Sequence, residues 1–342
     1  MSFTVTIRNA HKPIKVEMGD TILASALAQG IAYPFGCQSG NCGACKSTLY
    51  DGDVEMSPYS EFALSDAEKA QGLILACRSV PWSDCDVAWL EPDEVAVHAS
   101  RVLDCTVTAV DRMTHDIKRI RLNIERGGPY DFSAGQYARV TFPGLPPRDY
   151  SMANRPDDAT LEFHIRLLPG GAVTPHVANV LKIGDHVKLE GPFGTAYFRE
   201  KHTGPIVAGA GGSGLAPIKS IVETALAKGA AQPISLYFGV RDERDLYLEA
   251  EFRALEAKYK NLKFIPVLSE PTGKTVRRTG YLADAIAADI GNLDGYKAYL
   301  AGPPIMVETA TRALEAAGLR RQDIHADAFY TEADKAKLEK AS

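Results

Sequence analysis

Three cysteines within nine residues constrain this chain more than any other feature: Cys37-Gln38-Ser39-Gly40-Asn41-Cys42-Gly43-Ala44-Cys45, with a fourth, Cys77, far downstream. C-x4-C-x2-C plus one remote cysteine is the spacing with which four thiolates hold a [2Fe–2S] cluster. Each of two irons needs two thiolates, so three ligands must converge from one tight loop while the fourth arrives on another element. Gly36, Gly40 and Gly43 allow the backbone to approach inorganic sulfide closely. Inward N–H groups would then help to set the reduction potential. Two other readings of these residues stay open. Zinc is usually held by two cysteine pairs of similar spacing, which the x4 arm and the lone fourth cysteine fit poorly. Disulfides need an oxidising compartment, and nothing in the sequence suggests export.

A chain of 342 residues is too long for one ordinary core, so two or three domains are expected. No apolar run approaches the ~20 residues of a membrane span, and Met1–Asn9 alternates like a strand rather than a signal peptide. The expectation is a cytoplasmic protein with no membrane partner, in which Cys85 and Cys105 are reduced and inert. The net charge of −5 is unevenly spread: residues 1–93 hold 6 Lys+Arg against 12 Asp+Glu, and the remainder 32 against 31. No clustered basic stretch points to nucleic acid.

The cysteines sit in a small α+β pattern. Phe3–Ile7 and Ile14–Val16 read as strands around a turn at Lys12-Pro13, and a helix at Thr21–Gln29 is capped by Asp20 and stopped by Gly30. Thr48–Tyr50 and Leu73–Arg78 read as further strands, the second delivering Cys77. With its cysteine spacing, this region resembles the ferredoxin domain found fused to flavin reductases. We take it as residues 1–93, followed by a linker at 94–101 that begins near the proline-broken Glu91-Pro92-Asp93-Glu94.

Residues 102–200 change to short strands separated by turns, the pattern of an antiparallel β-barrel: Cys105–Asp111, Ile117–Asn123, Tyr137–Phe142, Leu161–Leu167 and His186–Glu190. A helical segment, Val173–Leu181, interrupts them. Among them lies Arg148-Asp149-Tyr150-Ser151, in which arginine could neutralise a pyrophosphate, tyrosine cover a flavin face and serine hydrogen-bond a ring nitrogen. Taken alone, that tetrapeptide can also arise in any surface strand. It is followed by His164-Ile165-Arg166, by Gly170-Gly171-Ala172-Val173-Thr174 before the helix, and by Glu190-Gly191-Pro192-Phe193-Gly194. Together these motifs resemble the ferredoxin–NADP reductase superfamily. The resemblance implies that Arg148, Tyr150 and Ser151 meet a flavin, with Ser151 at its N5. It further implies that His164, Ile165 and Arg166 line the ribityl and adenine side, and that Gly171, Val173 and Thr174 hold the pyrophosphate. It implies FAD as the flavin.

From residue 201 to 342 strands alternate with helices, which predicts a parallel α/β sheet with ligands beyond the strand C-termini. The strands are Ile206–Ala210, Ile234–Val240, Lys263–Leu268, Ala298–Ala301 and His325–Phe329. The helices between them are Leu215–Lys228, Glu249–Tyr259, Leu282–Ala288 and Ile305–Ala317. Gly209-Ala210-Gly211-Gly212-Ser213-Gly214 follows the first strand and opens a helix, as a dinucleotide turn should. The acid that an ordinary dehydrogenase carries ~20 residues later is missing; the second strand ends in Gly239-Val240-Arg241. That departure suits the reductase superfamily, as does Ala301-Gly302-Pro303-Pro304-Ile305-Met306, a turn that by resemblance flanks the nicotinamide. Many relatives carry cysteine where Ala301 stands, so no thiol is expected at that position here. The nucleotide contacts expected are Gly211, Gly212, Ser213, Gly214, Arg241, Gly302, Pro303 and Met306. Asp242, Glu243 and Asp245 crowd the end of the second strand, which points to NADH rather than NADPH. Asp327-Ala328-Phe329 resembles the acid-x-aromatic ending of these proteins; Phe329 either covers the flavin or packs in the core.

The order ferredoxin domain, flavin barrel, nucleotide domain resembles the NADH-dependent reductase components of bacterial aromatic-ring dioxygenases and multicomponent monooxygenases. By that resemblance the chain is an enzyme that passes electrons from NADH through FAD and the cluster. The recipient is an oxygenase component or an intermediate ferredoxin. A reductase serving a deoxysugar dehydratase has the same three modules, and a redox carrier or sensor without turnover is a third possibility.

Overall fold

The computed structural model describes residues 2–91, 94, 96, 98–331 and 334. Much of the expected linker and nearly all of the tail after Thr331 fall outside them. Chain packing divides the molecule into two units, Met1–Val95 with Tyr330–Ser342, and Ala96–Phe329.

The first unit contains β1 (Ser2–Ile7), β2 (Lys12–Glu17), α1 (Ile22–Ala28), β3 (Lys46–Asp51), β4 (Val54–Met56), α2 (Asp66–Ala70), β5 (Leu73–Leu75), β6 (Ser79–Pro81) and β7 (Cys85–Trp89). Its sheet has the order β2-β1-β7-β3-β5, with β4 and β6 as a separate pair. Alternation drives it: Val5 and Ile7, Ile14 and Val16, and Val87 all point inward and are essentially unexposed. Pro13 lies inside β2 rather than in a turn, which is tolerated because β2 is an edge strand and its missing donor faces no neighbour. The turn is the short 3-10 segment Arg8–Ala10. Thr21, not Asp20, caps α1, its hydroxyl accepting from the Ala24 N–H at 3.3 Å. The central strand β7 was not foreseen, being short and interrupted by Asp86.

The second unit begins with six strands, β8 (Arg101–Arg112), β9 (Ile117–Arg126), β10 (Tyr137–Thr141), β11 (Arg148–Ser151), β12 (Leu161–Arg166) and, after α3 (Thr174–Asn179), β13 (His186–Phe193). They are ordered β11-β10-β13-β8-β9-β12 and antiparallel throughout. A bridge between Met152 and Phe163 joins the two ends into a barrel. Leu103, Val107, Ile120, Phe142, Phe163 and Leu189 fill it.

The same unit continues with β14 (Ile206–Gly211), α4 (Leu215–Ala227), β15 (Ile234–Val240), α5 (Glu249–Lys258), β16 (Leu262–Leu268), β17 (Arg278–Thr279), α6 (Leu282–Asp289), β18 (Lys297–Gly302), α7 (Pro304–Ala316) and β19 (Ile324–Ala328). All six strands are parallel in the order β17-β16-β15-β14-β18-β19. Helix α4 is buried on nearly every side, Lys219 and Ser220 included. A helix covered all round is one packed on both faces; here one face meets the sheet and the other the barrel. Among the described residues, no helix is long and apolar enough to cross a membrane.

Candidate functional site

The cysteine loop closes on itself as its spacing requires. Cys77 arrives not from a strand but from the turn between β5 and β6, because a thiol on a flat strand would point into or away from the core rather than along the loop. All six cysteines are free thiols. The four of interest couple electrostatically as Cys37 with Cys42 and Cys45 with Cys77. The Cys42 thiol pulls Cys37 down to about 5, and Cys77 lowers Cys45 below its ordinary value. Backbone N–H groups converge on the sulfurs: Asn41 and Ser39 donate to Cys37 Sγ at 3.2 and 3.4 Å, and Cys37 to Cys42 Sγ at 3.3 Å. Gly40 holds φ +75°, and a Cβ there would lie 2.8 Å from that of Tyr59, so no other residue fits without moving the loop. Two thiol pairs in an N–H-lined cage fit a two-iron cluster: they match its ligand count and satisfy its sulfurs.

In the second unit β11 carries Arg148, Tyr150 and Ser151 as expected. Tyr150 packs against the barrel core and burial pushes its hydroxyl up to about 12. Among the described residues Arg148 bonds only the carbonyl of its neighbour Pro147. Ser151 is buried and donates to Asp327 Oδ2 at 2.9 Å. That bond ties the barrel to β19.

The glycine turn and the Gly-Pro-Pro turn press together beside it. A Cβ on Gly211 would collide with Met306 Sδ, one on Gly214 with the Ala301 carbonyl, and one on Gly302 would stand 2.8 Å from the Gly211 carbonyl. Close backbone approach of two turns at the C-terminal edge of a parallel sheet is what a dinucleotide needs. Pro303 caps α7, and the Phe329 N–H donates to the Gly302 carbonyl at 2.9 Å, with its ring half-buried against the nucleotide core. Ser151, Asp327, Gly302, Met306 and Phe329 are thus gathered with Gly211, Gly212, Ser213 and Gly214.

Other expected residues lie differently. Ile165 and Val173 point into the barrel core, leaving their backbone for any ligand. A Cβ on Gly171 would collide with Thr174 Oγ1, whose hydroxyl donates to the Leu168 carbonyl at 2.7 Å. His164 is wholly enclosed, with both ring nitrogens engaged. Arg166 pairs with Asp116 at 2.8 Å and, with Arg241, lines a cavity of about 530 Å³ bounded also by Arg244, Asp242, Asp245 and Glu270.

Sequence reasoning missed a buried polar network between barrel and sheet. Lys219 Nζ donates to the Ala153 carbonyl at 3.2 Å and to Glu223 at 3.0 Å, and Ser220 Oγ to the Asn154 carbonyl at 2.6 Å. Glu162 accepts from Arg121 at 3.0 Å. Burial alone would push the Glu162 carboxyl up, but the His164 hydrogen bond and the charges of Lys219 and Arg121 hold it well below the usual range. One signal was available: Lys219, Ser220, Glu223 and Thr224 stand in a helix whose other residues are all apolar.

Comparison with known proteins agrees with this geometry. Profiles of the 2Fe-2S iron-sulfur cluster binding domain, the oxidoreductase FAD-binding domain and the oxidoreductase NAD-binding domain match residues 5–81, 104–198 and 210–312. The chain is 42% identical over 330 residues to the ferredoxin–NAD(P)+ reductase component of the naphthalene 1,2-dioxygenase/salicylate 5-hydroxylase systems of a Ralstonia species, covering 96% of this chain and 99% of that one. It is 40% identical to the corresponding component of the Pseudomonas putida naphthalene 1,2-dioxygenase system, covering 95% and 98%. The crystal structure of an Amycolatopsis cytochrome P450 reductase superposes with a TM-score of 0.77 at 34% identity, covering 96% and 98%. With all three modules present in order and matched over nearly the whole length, the chain belongs to the family of ferredoxin–NAD(P)+ reductase components of oxygenase systems, oxidoreductases built from [2Fe–2S], FAD-binding and NAD-binding domains.

Proposed function

We propose that this protein carries electrons from NADH to an intermediate ferredoxin or oxygenase component of an aromatic-ring dioxygenase system, and that it works in the cytoplasm. Bound FAD supplies the conversion of a hydride into single electrons, and the cluster supplies a one-electron carrier. The chain's own part is to bind, orient and shield. We assign Cys37, Cys42, Cys45 and Cys77 as iron ligands. Arg148, Tyr150 and Ser151 hold the flavin, with Arg166 and the backbone of His164 and Ile165 beside it. Gly171, Val173 and Thr174 lie at its pyrophosphate. Gly211, Gly212, Ser213, Gly214, Arg241, Gly302, Pro303 and Met306 receive the nucleotide, and Ser151 and Phe329 stand at the reacting face. The working partition is 1–93, a linker at 94–101, 102–200 and 201–342.

The observation that carries this reading is the Ser151–Asp327 hydrogen bond at 2.9 Å, which joins the flavin strand to the sheet edge bearing both nucleotide turns. The two closely packed turns favour turnover over a carrier that has lost it. The test is reconstitution: the purified protein, with the ferredoxin and oxygenase of a naphthalene dioxygenase system, should support NADH-dependent oxygenation of naphthalene. Transfer only to a multicomponent monooxygenase would move the assignment there, and no transfer to either would reject it.

A further inference from the structure

The register of the barrel puts His164 directly across from Ser151. Met152 pairs with Phe163, and the Ala153 N–H donates to the Glu162 carbonyl at 2.7 Å, so the antiparallel count continues to Ser151 opposite His164. Opposed residues share a face. Leu161, Phe163 and Ile165 fill the barrel, so Glu162, His164 and Arg166 face the nucleotide domain with Ser151.

On that face a hydrogen-bonded chain runs from the flavin strand to the glycine turn. His164 Nε2 lies 3.1 Å from Glu162 Oε1, and Nδ1 lies 3.1 Å from the Tyr247 hydroxyl. A carboxylate only accepts, so Nε2 carries the proton of the neutral ring and Nδ1 offers its lone pair. Tyr247 has a single hydroxyl proton, which it shares between Nδ1 at 3.1 Å and the Gly212 carbonyl at 3.3 Å in a three-centre bond. Its ring is fixed edge-on between Phe238 and His164, with centroids 5.6 and 5.3 Å away. Glu162 is fixed in turn by Arg121 and, at 3.6 Å, by Lys219. The Gly212 carbonyl and the Ser213 N–H belong to one planar peptide and point in opposite directions. The same carbonyl accepts from the Leu215 N–H, and the added bond from Tyr247 helps to hold the direction of the Ser213 N–H, one of the donors available to a phosphate.

We propose that Tyr247 and His164 are a positioning pair for hydride transfer: they hold the peptide plane of Gly212–Ser213 in register with the strand that carries Ser151. This rests on the functional reading above. Neither residue is required to touch substrate or cofactor through its side chain.

The test uses the flavin-loaded, full-length protein and three substitutions. Tyr247→Phe keeps the ring and removes the hydroxyl. His164→Asn keeps a polar atom where Nδ1 stands, and His164→Gln keeps one where Nε2 stands. Three readouts apply: amide hydrogen exchange of the segment 209–215, the Kd of NAD+ for the oxidised protein, and the rate of flavin reduction by NADH per bound flavin. Tyr247→Phe and His164→Gln should speed exchange, weaken NAD+ binding and slow reduction, each by about tenfold. His164→Asn should lose markedly less than His164→Gln. Wild-type exchange, Kd and rate in Tyr247→Phe would overturn the inference, as would equal losses in the two His164 variants, which is what general destabilisation gives. If Tyr247→Phe fails to fold, the His164 pair decides. A wild-type protein that neither binds NAD+ nor is reduced by NADH would instead remove the functional reading, and this inference with it.

Discussion

The Ser151 hydroxyl donates to the Asp327 carboxylate at 2.9 Å across 176 positions of sequence. It joins the last residue of β11 to β19, whose neighbour β18 ends in Gly302. Ser151→Ala should slow flavin reduction by NADH by ~10–100-fold, since a buried hydrogen-bonding group at a reacting centre contributes on the order of 1–3 kcal/mol. Asp327→Asn should cost less, and the double variant should fall short of the product of the two, because the residues share one interaction. Rapid-mixing absorbance of the flavin measures all three. Fully multiplicative losses would mean that the residues act separately.

Loss of one thiolate separates the two halves of the electron path. Cys42→Ser should leave the protein without stoichiometric iron and sulfide, because a hydroxyl is a poor substitute for a thiolate at iron. Reduction of cytochrome c or of a partner ferredoxin should collapse, while reduction of ferricyanide, a small acceptor that can take electrons from the flavin, should fall far less. Parallel loss of both activities would make the first unit a folding partner instead.

Under the proposed function, nucleotide preference should be set at the 530 Å³ cavity beyond β15. Asp242 is tied to Thr272 through its hydroxyl at 2.6 Å, Glu243 to Thr275 and Arg277, and Asp245 to the Asp242 N–H at 3.1 Å, so all three acids read from the sequence are held by the protein. Glu270 lines the same cavity and has no ion pair among the described residues. An unpaired carboxylate there opposes a 2′-phosphate, so NADH should exceed NADPH in kcat/KM by roughly tenfold or more. Glu270→Gln should narrow the ratio by raising NADPH. Equal use of the two nucleotides by the wild type would refute this.

Acid should weaken the second unit through its buried histidine. Burial holds His164 below the ordinary value of 6.5, with Lys219 and Arg119 adding to it against the pull of Glu162. As pH falls below about 6.5 the unfolded chain takes up this proton before the folded one, so stability drops, by at most ~1.4 kcal/mol per pH unit. Glu162, held below its ordinary 4.5 in the folded state, adds a loss of the same sign at lower pH. Melting temperature from pH 8 to 5 should fall in the wild type and be flatter in His164→Gln. A wild type that gains stability between pH 6.5 and 5 would contradict the assignment of a neutral ring.

What the sequence determined by itself was whatever depends on short spacing. Cys37, Cys42 and Cys45 could be read as a cluster loop because one turn of backbone brings them together whatever the rest of the chain does. Ile234–Val240 and the other buried parallel strands were legible because continuous apolar runs between helical periods have few alternatives. Gly211–Gly214 and Gly302-Pro303 were legible as turns, since only such residues allow two backbones to approach so closely.

Only the tertiary structure decided which polar residues face one another. Nothing local distinguishes Glu162 and His164 on a half-polar strand from a solvent-facing pair, yet His164 is fully enclosed and meets Tyr247 from 83 positions away. Lys219 in α4 reaches the Ala153 carbonyl 66 positions earlier. Such contacts follow from how the barrel and the sheet pack. That packing is driven by non-directional burial of apolar surface, and the polar partners are then chosen by which buried donors and acceptors must be satisfied.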